Sequence, residues 1–198
     1  MKKLLLLSIV LVTVSACNKS DSPTAISGNE DSSAAISGKE NQGMNLDLLR
    51  FTLDGNRLGE AISPKSQFFE PLKNADYLED HKAGIEISTK DNVLDYVEIA
   101  VDKFDGSFST NDSPVALELF DTPSKVKNIF GAPYCEHLDE FGELLLFYVY
   151  DNGQYEVQYG FYNGKDLAFI GLYKDGVLSD EQNRSFYGVD KPWPPSSD

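Results

Sequence analysis

The chain has 198 residues with 17 Lys plus Arg against 32 Asp plus Glu, for a formal net charge of −15. So acidic a surface argues against a nucleic-acid partner and against docking through a basic patch onto anionic lipid headgroups. Hydrophobic residues make up 41% of the chain, enough for a core, while two Cys and two His are too few for a disulfide framework or an ordinary zinc site.

The first sixteen residues are typical of a secretory signal. Lys2 and Lys3 precede the apolar run 4–14 (LLLLSIVLVTV), which is about half of the ~20 residues that a membrane-spanning helix needs. The sequence therefore predicts a removable signal peptide over residues 1–16.

Residues 14–17 (VSAC) resemble the bacterial lipobox, the recognition site of the lipoprotein signal peptidase. The resemblance implies cleavage before Cys17 and acylation of that cysteine with fatty acids such as palmitate, which anchors the chain in a lipid bilayer. Asn18 stands where an Asp would signal retention in the inner membrane, so the expected location is the cell envelope, on the outer membrane facing the periplasm. The alternative is a coincidental Cys after an ordinary secretory signal.

Residues 17–44 are predicted to be the lipidated Cys followed by a disordered tether. The segment is rich in Ser, Gly, Asn, Asp and Glu, and residues 25–30 (AISGNE) recur as 35–40 (AISGKE). Such a composition cannot offset the entropy of ordering a packed fold. A flexible coil of this length reaches roughly 25–30 Å, so we expect a spacer between the bilayer and the globular part.

A first α/β repeat is predicted over residues 45–110. The pattern indicates a strand at 48–53, a helix that begins at Ser63-Pro64, and a hairpin of 84–89 with 93–101. The helix would carry an apolar stripe of Phe68, Phe69 and Leu72.

A second α/β repeat is predicted over residues 111–187, followed by a flexible tail at 188–198. A strand at 115–119 leads to a helix opened by Thr122-Pro123, with Val126, Ile129 and Phe130 on one face. Glycine at 131 suits a left-handed helix cap. The hairpin of 143–150 with 155–162 turns at Asn152-Gly153, and a third strand covers 167–173.

Equivalent positions in the two halves are nearly equally spaced. Ser63 and Thr122 are 59 residues apart, as are Gly84 and Glu143. The spacing favours a tandem duplication and an α+β fold, in which an antiparallel sheet of two helix-plus-β-meander repeats carries short helices packed on one face. The alternative is an ordinary α+β domain with evenly spaced elements.

The lipobox, the polar tether and a short Ser/Thr-Pro helix that ends in residues 130–133 (FGAP) together resemble one superfamily. It contains the small outer-membrane assembly lipoproteins and the tandem β-lactamase-inhibitor proteins. The resemblance covers about residues 50–175 and implies a non-enzymatic binding module with helices on one sheet face and a partner on the other. No residue role can be transferred, because the contact residues of that superfamily vary.

Turn geometry assigns the second-half side chains to two sheet faces. A two-residue turn at 152–153 would pair residues whose numbers sum to 305, and one at 163–164 would pair residues whose numbers sum to 327. Paired residues lie on the same face and side chains alternate along each strand, so every residue can be assigned to one of the two faces. One face is apolar and suits the core: Leu144, Leu146, Tyr148, Tyr150, Tyr155, Val157, Tyr159, Phe161, Ala168, Ile170 and Leu172. The other mixes polar and aromatic groups, and its predicted partner-binding residues are Phe147, Tyr162, Phe169, Tyr173, Glu156 and Gln158. The alternative is that residues 176–198 or the first half fold across this face.

Candidate chemistry is sparse, and the sequence predicts no catalytic residues, no metal site and no cofactor. Cys135 and His137 have no evident third metal ligand near them, and the only free thiol left in an oxidising compartment is expected to be buried and inert, so Cys135 is predicted to have no reactive role. The oxygen-rich stretch 102–112 lacks the spacing of an EF-hand loop, and phosphate-binding loops are absent.

These observations predict a lipid-anchored envelope lipoprotein whose globular domain is a non-enzymatic protein-binding module, with an inhibitory, toxin-neutralising or assembly role. Its expected partners are the bilayer, through acylated Cys17, and another envelope protein, with no nucleic acid. One alternative is a structural envelope lipoprotein without a dedicated partner. A second is a hydrolase, which would require His81 and His137 to converge in one cleft.

Overall fold

The computed structural model describes residues 43–63, 69, 72 and 76–195, all within one compact unit, Glu40–Asp198. The predicted signal peptide, Cys17, the tether before residue 43 and most of the first predicted helix lie outside these residues. The described strands are β1 Asn45–Asp47, β2 Thr52–Leu53, β3 Asn56–Arg57, β4 Tyr77–Asp80, β5 Ile85–Lys90, β6 Val93–Ala100, β7 Ser107–Thr110, β8 Ser113–Val115, β9 Cys135–Leu138, β10 Leu144–Tyr150, β11 Tyr155–Tyr162 and β12 Asp166–Lys174. The described helices are α1 Pro123–Phe130 and α2 Glu181–Phe186, with 3₁₀ turns at Leu117–Leu119, Asp151–Gly153 and Val177–Ser179.

The strands form two sheets, and the α+β class is confirmed with a low helix content. The small sheet has the order β3-β2-β1-β7-β8, and the large sheet has the order β4-β5-β6-β12-β11-β10-β9. The large sheet contains two meanders, β4 to β6 and β9 to β12, which join where β6 pairs antiparallel with β12. A second sheet was not predicted. Strand β7, which follows the first meander in the chain, pairs in this small sheet and not in the large one.

Both predicted hairpins are confirmed. In the β10–β11 hairpin Leu144 pairs with Phe161 and Tyr150 with Tyr155, so the predicted sum of 305 holds. The connection has four residues rather than two, but it is centred on Asn152 and Gly153, both with positive φ. Between β11 and β12 the paired residue numbers sum to 328 beside the turn and to 329 beyond a bulge, rather than to the predicted 327. The unpaired bulge residue, Ala168, breaks the alternation at the start of β12, so Leu167 packs against the core, whereas Phe169 to Tyr173 keep their predicted faces.

Two predicted strands are wrong in whole or in part. Residues 48–51 form a turn because the Asp47 carboxylate accepts hydrogen bonds from the amides of Leu49 and Arg50 and bends the chain away from β1. The predicted strand 115–119 stops at Val115 and continues as a 3₁₀ turn.

The main core lies between the two sheets. Buried side chains from both sheets meet there, including Leu46, Leu53, Ile99 and Leu172, and Val126 of α1 joins them. The predicted α1 is confirmed, with Gly131 at its C-terminal cap at φ 82°. Val126 and Phe130 face the core as predicted, but Ile129 is exposed. From the first predicted helix, Phe69 and Leu72 are buried in the same core.

Asp47 is a buried carboxylate that ties the small sheet together. Its Oδ1 accepts hydrogen bonds from the amides of Arg50 and Asn111 at 2.9 and 3.1 Å, and its Oδ2 accepts from Asp112 N and Ser109 Oγ at 2.7 and 2.8 Å. Burial raises the pKa of Asp47, but these hydrogen bonds outweigh it and hold the pKa below its usual value.

We expect Asp47→Ala to lower the free energy of unfolding by about 2–4 kcal/mol, because several buried amides lose their acceptor. Urea unfolding followed by tryptophan fluorescence measures the change. The exposed Asp112→Asn is the control, since it removes only the charge of a surface ion pair with Arg50, keeps a residue that tolerates the left-handed backbone at φ 63°, and should cost about 1 kcal/mol or less. Equal losses in the two variants would contradict the assigned role of Asp47.

Candidate partner-binding face

The large sheet has one face toward the main core and an opposite face, here the outer face. Strand register places outer-face side chains in rows that run across the sheet. The middle row runs Glu79, Glu86, Glu98, Gly171, Gln158, Phe147 and Cys135. The row on one side runs Tyr77, Ser88, Tyr96, Tyr173, Glu156 and Val149. The row on the other side runs Ala100, Phe169, Gly160, Leu145 and His137.

Residues 176–195, the C-terminal segment, cover the part of the outer face formed by β9, β10 and the start of β11. Leu178 is fully buried there with Phe147 and Cys135. The Tyr187 ring lies 4.8 Å from that of Phe147, and Tyr134 donates a hydrogen bond to the carbonyl of Pro192. The alternative of a face covered by its own tail is therefore correct for this part of the sheet.

The C-terminal segment differs in two ways from the sequence-based prediction. Residues 188–195, predicted to be a flexible tail, include Val189 and Trp193, which pack against the buried cluster around Phe147. Helix α2 lies on the outer face, where Phe186 contacts His137. The described helices therefore occupy both faces of the large sheet rather than one.

Glu156 attaches the C-terminal segment to the sheet. Its carboxylate accepts hydrogen bonds from Gln158 Nε2, Leu178 N and Val177 N at 2.7, 2.9 and 3.2 Å. A Cβ at Gly176 would overlap the Glu156 side chain, so only glycine allows this approach. Burial raises the pKa of Glu156, and the three hydrogen bonds lower it by less.

Three of the predicted partner-binding residues lie in this covered region. Phe147, Glu156 and Gln158 are 0%, 1% and 5% exposed. They are buried because residues far along the chain return across the sheet, which the local pattern of β10 and β11 did not reveal. In this arrangement they cannot contact a partner.

The other three predicted residues, Tyr162, Phe169 and Tyr173, lie in the part of the outer face that the C-terminal segment leaves uncovered. We call this part the open region, and its residues are Tyr77, Glu79, Glu86, Tyr96, Glu98, Tyr162, Phe169 and Tyr173. Tyr162 is 61% exposed, and Phe169 and Tyr173 are half-buried. The remaining members come from the first meander, and sequence reasoning missed them because only the faces of the second half had been assigned.

Tyrosines and glutamates contact one another within the open region. Tyr96 donates a hydrogen bond to Glu98 Oε2 at 2.8 Å, and its ring lies 4.8 Å from that of Tyr173. Burial, with the neighbouring charge of Glu86, raises the pKa of Glu98. Burial also raises the pKa of Tyr77, as do Glu86 and Glu79 beside it.

A small cleft opens at one end of the open region. Its volume is about 130 Å³, and it is lined by Glu143, Leu145, Gly160, Phe161, Tyr162, Ala168 and Phe169. The Phe169 ring lies over Gly160, where a Cβ would overlap it. Ligand pockets usually measure roughly 300–1,000 Å³. A cavity of roughly 150 Å³ holds a benzene-sized group, so this cleft suits one side chain of a partner.

The two histidines do not converge. His81 follows β4 at one edge of the large sheet and contacts Glu79, whereas His137 lies in β9 at the opposite edge. The hydrolase alternative therefore lacks the pair it required. Cys135 is a buried free thiol, as predicted, and burial raises its pKa. Within the described residues, no three His, Cys, Asp or Glu side chains are grouped to hold a metal ion, and no helix has the length and apolarity to cross a membrane.

Comparison with known proteins yields one weak structural similarity. No family model matches the chain, and no curated protein matches it. The crystal structure of a DUF4309 family protein, YjgB, from Bacillus subtilis matches with a TM-score of 0.33 and 16% identity. The match covers 59% of this chain and 72% of that chain. A TM-score this low supports no inference about fold or function.

The raised pKa of Glu156 leads to a pH prediction. The folded state holds this proton more tightly than the unfolded chain, so the contribution to stability is full below the ordinary pKa of 4.5 and is lost as the pH rises through the folded pKa. Glu156→Gln has no such proton. Wild type therefore loses stability over this range and the variant does not. We expect the free energy of unfolding of Glu156→Gln minus that of wild type to increase as the pH rises from below 4.5 toward neutral.

Urea unfolding across that pH range measures this difference. Glu140→Gln, in the exposed β9–β10 turn, controls for the loss of one carboxylate elsewhere. A difference between wild type and Glu156→Gln that stays constant with pH would contradict the prediction.

Proposed function

We propose that this chain is a lipid-anchored lipoprotein of the bacterial cell envelope, on the outer membrane facing the periplasm, and that its globular unit is a non-enzymatic protein-binding module. The n-region, apolar run and lipobox-like residues 14–17 support the anchor. Two or three acyl chains on Cys17 would bind the bilayer durably, at ~0.8 kcal/mol per buried methylene.

One observation carries the binding role. The open region presents aromatic side chains on a sheet face opposite the core, with Tyr162 61% exposed beside a cleft of side-chain size. Tyrosine and phenylalanine are enriched in protein interfaces. An aromatic surface next to a cleft too small for most metabolites favours a protein partner, bound in an inhibitory, toxin-neutralising or assembly role.

A structural lipoprotein without a dedicated partner is the second candidate. The C-terminal segment favours it, because that segment buries Phe147, Glu156 and Gln158 and reduces the surface available to a partner. The two candidates differ in whether another protein lies against Tyr162 in the envelope.

The anchor is tested by Cys17→Ser. We expect wild-type protein to incorporate a labelled fatty acid and to fractionate with membranes, and the variant to do neither, because it lacks the acylated thiol. Metabolic labelling followed by membrane fractionation measures both. Cys135→Ser is the matched control and should label like wild type. A labelled Cys17→Ser protein would contradict the lipid anchor.

The partner role is tested by placing a photo-crosslinking amino acid at position 162 of the full-length protein in its own cells. We expect a discrete crosslinked band at Tyr162 and none at Leu119, which is similarly exposed, at 57%, but lies in the 3₁₀ turn after β8. The same band at both positions, or at neither, would favour the structural candidate.

A further inference from the structure

The chemistry of the partner can be read from the open region. Glu79, Glu86 and Glu98 lie side by side on three adjacent strands, β4, β5 and β6. Neighbouring strands lie roughly 4.8 Å apart, so three carboxylates fall within about 10 Å of one another. Among the described residues no Lys or Arg pairs with them, and the only ion-pair partner of Glu79 there is the side chain of His81, at 3.1 Å.

The tyrosines beside these carboxylates favour the same kind of ligand. Tyr77, Tyr96 and Tyr173 form the adjacent row, and Tyr77 is 49% exposed. A lysine or arginine above a tyrosine ring is attracted to the negative face of the ring. Cations would also relieve the repulsion between Glu86 and Glu98.

The cleft adds an apolar requirement. Phe169 pairs with Ala100, and Gly171 pairs with Glu98, so Phe169 lies two residues along the sheet from the carboxylate row. Two residues of strand span about 7 Å, and Phe169 and Glu98 lie on neighbouring strands, so these two residues are separated by roughly 7–10 Å. In an extended peptide, side chains two residues apart lie on one side at about this distance.

We propose, on the basis of the proposed function, that the partner presents to the open region a basic segment in extended conformation, with lysine or arginine two residues from an apolar side chain. The cationic groups bind above Glu79, Glu86 and Glu98, and the apolar side chain enters the cleft between Tyr162 and Phe169. The net charge of −15 steers such a segment toward the protein.

The test uses the full-length protein and a fluorescent peptide with alternating leucine and arginine separated by serine. Fluorescence anisotropy at low ionic strength should show binding that weakens with added salt, since exposed charges are screened. Replacing the arginines by glutamine should abolish it. Absence of binding by the arginine peptide would overturn the proposal.

A matched pair of triple variants separates the open region from bulk charge. Glu79→Gln, Glu86→Gln and Glu98→Gln together should weaken binding about tenfold, a loss of about 1.4 kcal/mol. The control replaces Glu60, Glu118 and Glu140, which are exposed outside the open region, and should change the affinity by less than about twofold. Equal weakening in both triple variants would assign the binding to net charge and overturn the proposal.

Failure here can be distinguished from failure of the proposed function. A crosslinked protein at position 162 without affinity for the arginine peptide would overturn the basic-segment proposal and leave the binding role in place. Phe169→Asp adds a test of the cleft, and should weaken a peptide that contains leucine more than one in which serine replaces leucine. Equal effects on the two peptides would count against entry of an apolar side chain.

Discussion

The antiparallel pairing of β6 with β12 determines how the rest of this fold is organised. Five residue pairs, from Phe169 with Ala100 to Tyr173 with Tyr96, join two meanders that are distant in sequence into one seven-stranded sheet. Strand pairing fixes both faces at once, because side chains alternate. Ile170 and Leu172 therefore meet Ile99 and Val97 in the core, while Tyr173 meets Tyr96 on the outer face.

The two faces are covered by different parts of the chain. The core face receives the small sheet, α1, and the buried Phe69 and Leu72. The outer face receives the C-terminal segment over β9, β10 and the start of β11. Glu156 makes this second contact specific, because a carboxylate buried without a cation accepts hydrogen bonds from two amides of that segment and from Gln158.

This division gives the proposed binding role its location. The covered region is a small second core, and the open region keeps aromatic and acidic side chains together, with a cleft beside them. An exposed sheet face of this kind requires either a partner or enough charge to stay soluble alone. Glu79, Glu86 and Glu98 provide charge, and in the proposed role they favour partners that carry complementary cations.

The predictable part of this structure was the part controlled by local geometry. Gly131 at the cap of α1, the turn at Asn152-Gly153, and the alternation along β10 and β11 each depend on residues close in sequence, and each was predicted. The turn at residues 48–51 was missed because it depends on the Asp47 carboxylate. This carboxylate accepts hydrogen bonds from amides of that turn and also from amides of the β7–β8 turn, which is distant in sequence. For the site, the outer-face assignment of Tyr162, Phe169 and Tyr173 was correct.

By itself, the sequence determined the acidic character, the α+β class, the two meanders, and the apolar and mixed faces of the second one. Only the tertiary structure decided which part of the mixed face is open, and which glutamates of the first meander lie beside it. Those outcomes depend on contacts between residues about 70 positions apart, such as Glu98 with Gly171, and on the return of residues 176–195 across the sheet. Alternation along a strand assigns a side chain to a face, but it does not specify what packs against that face, because burial is shared by every segment that meets there.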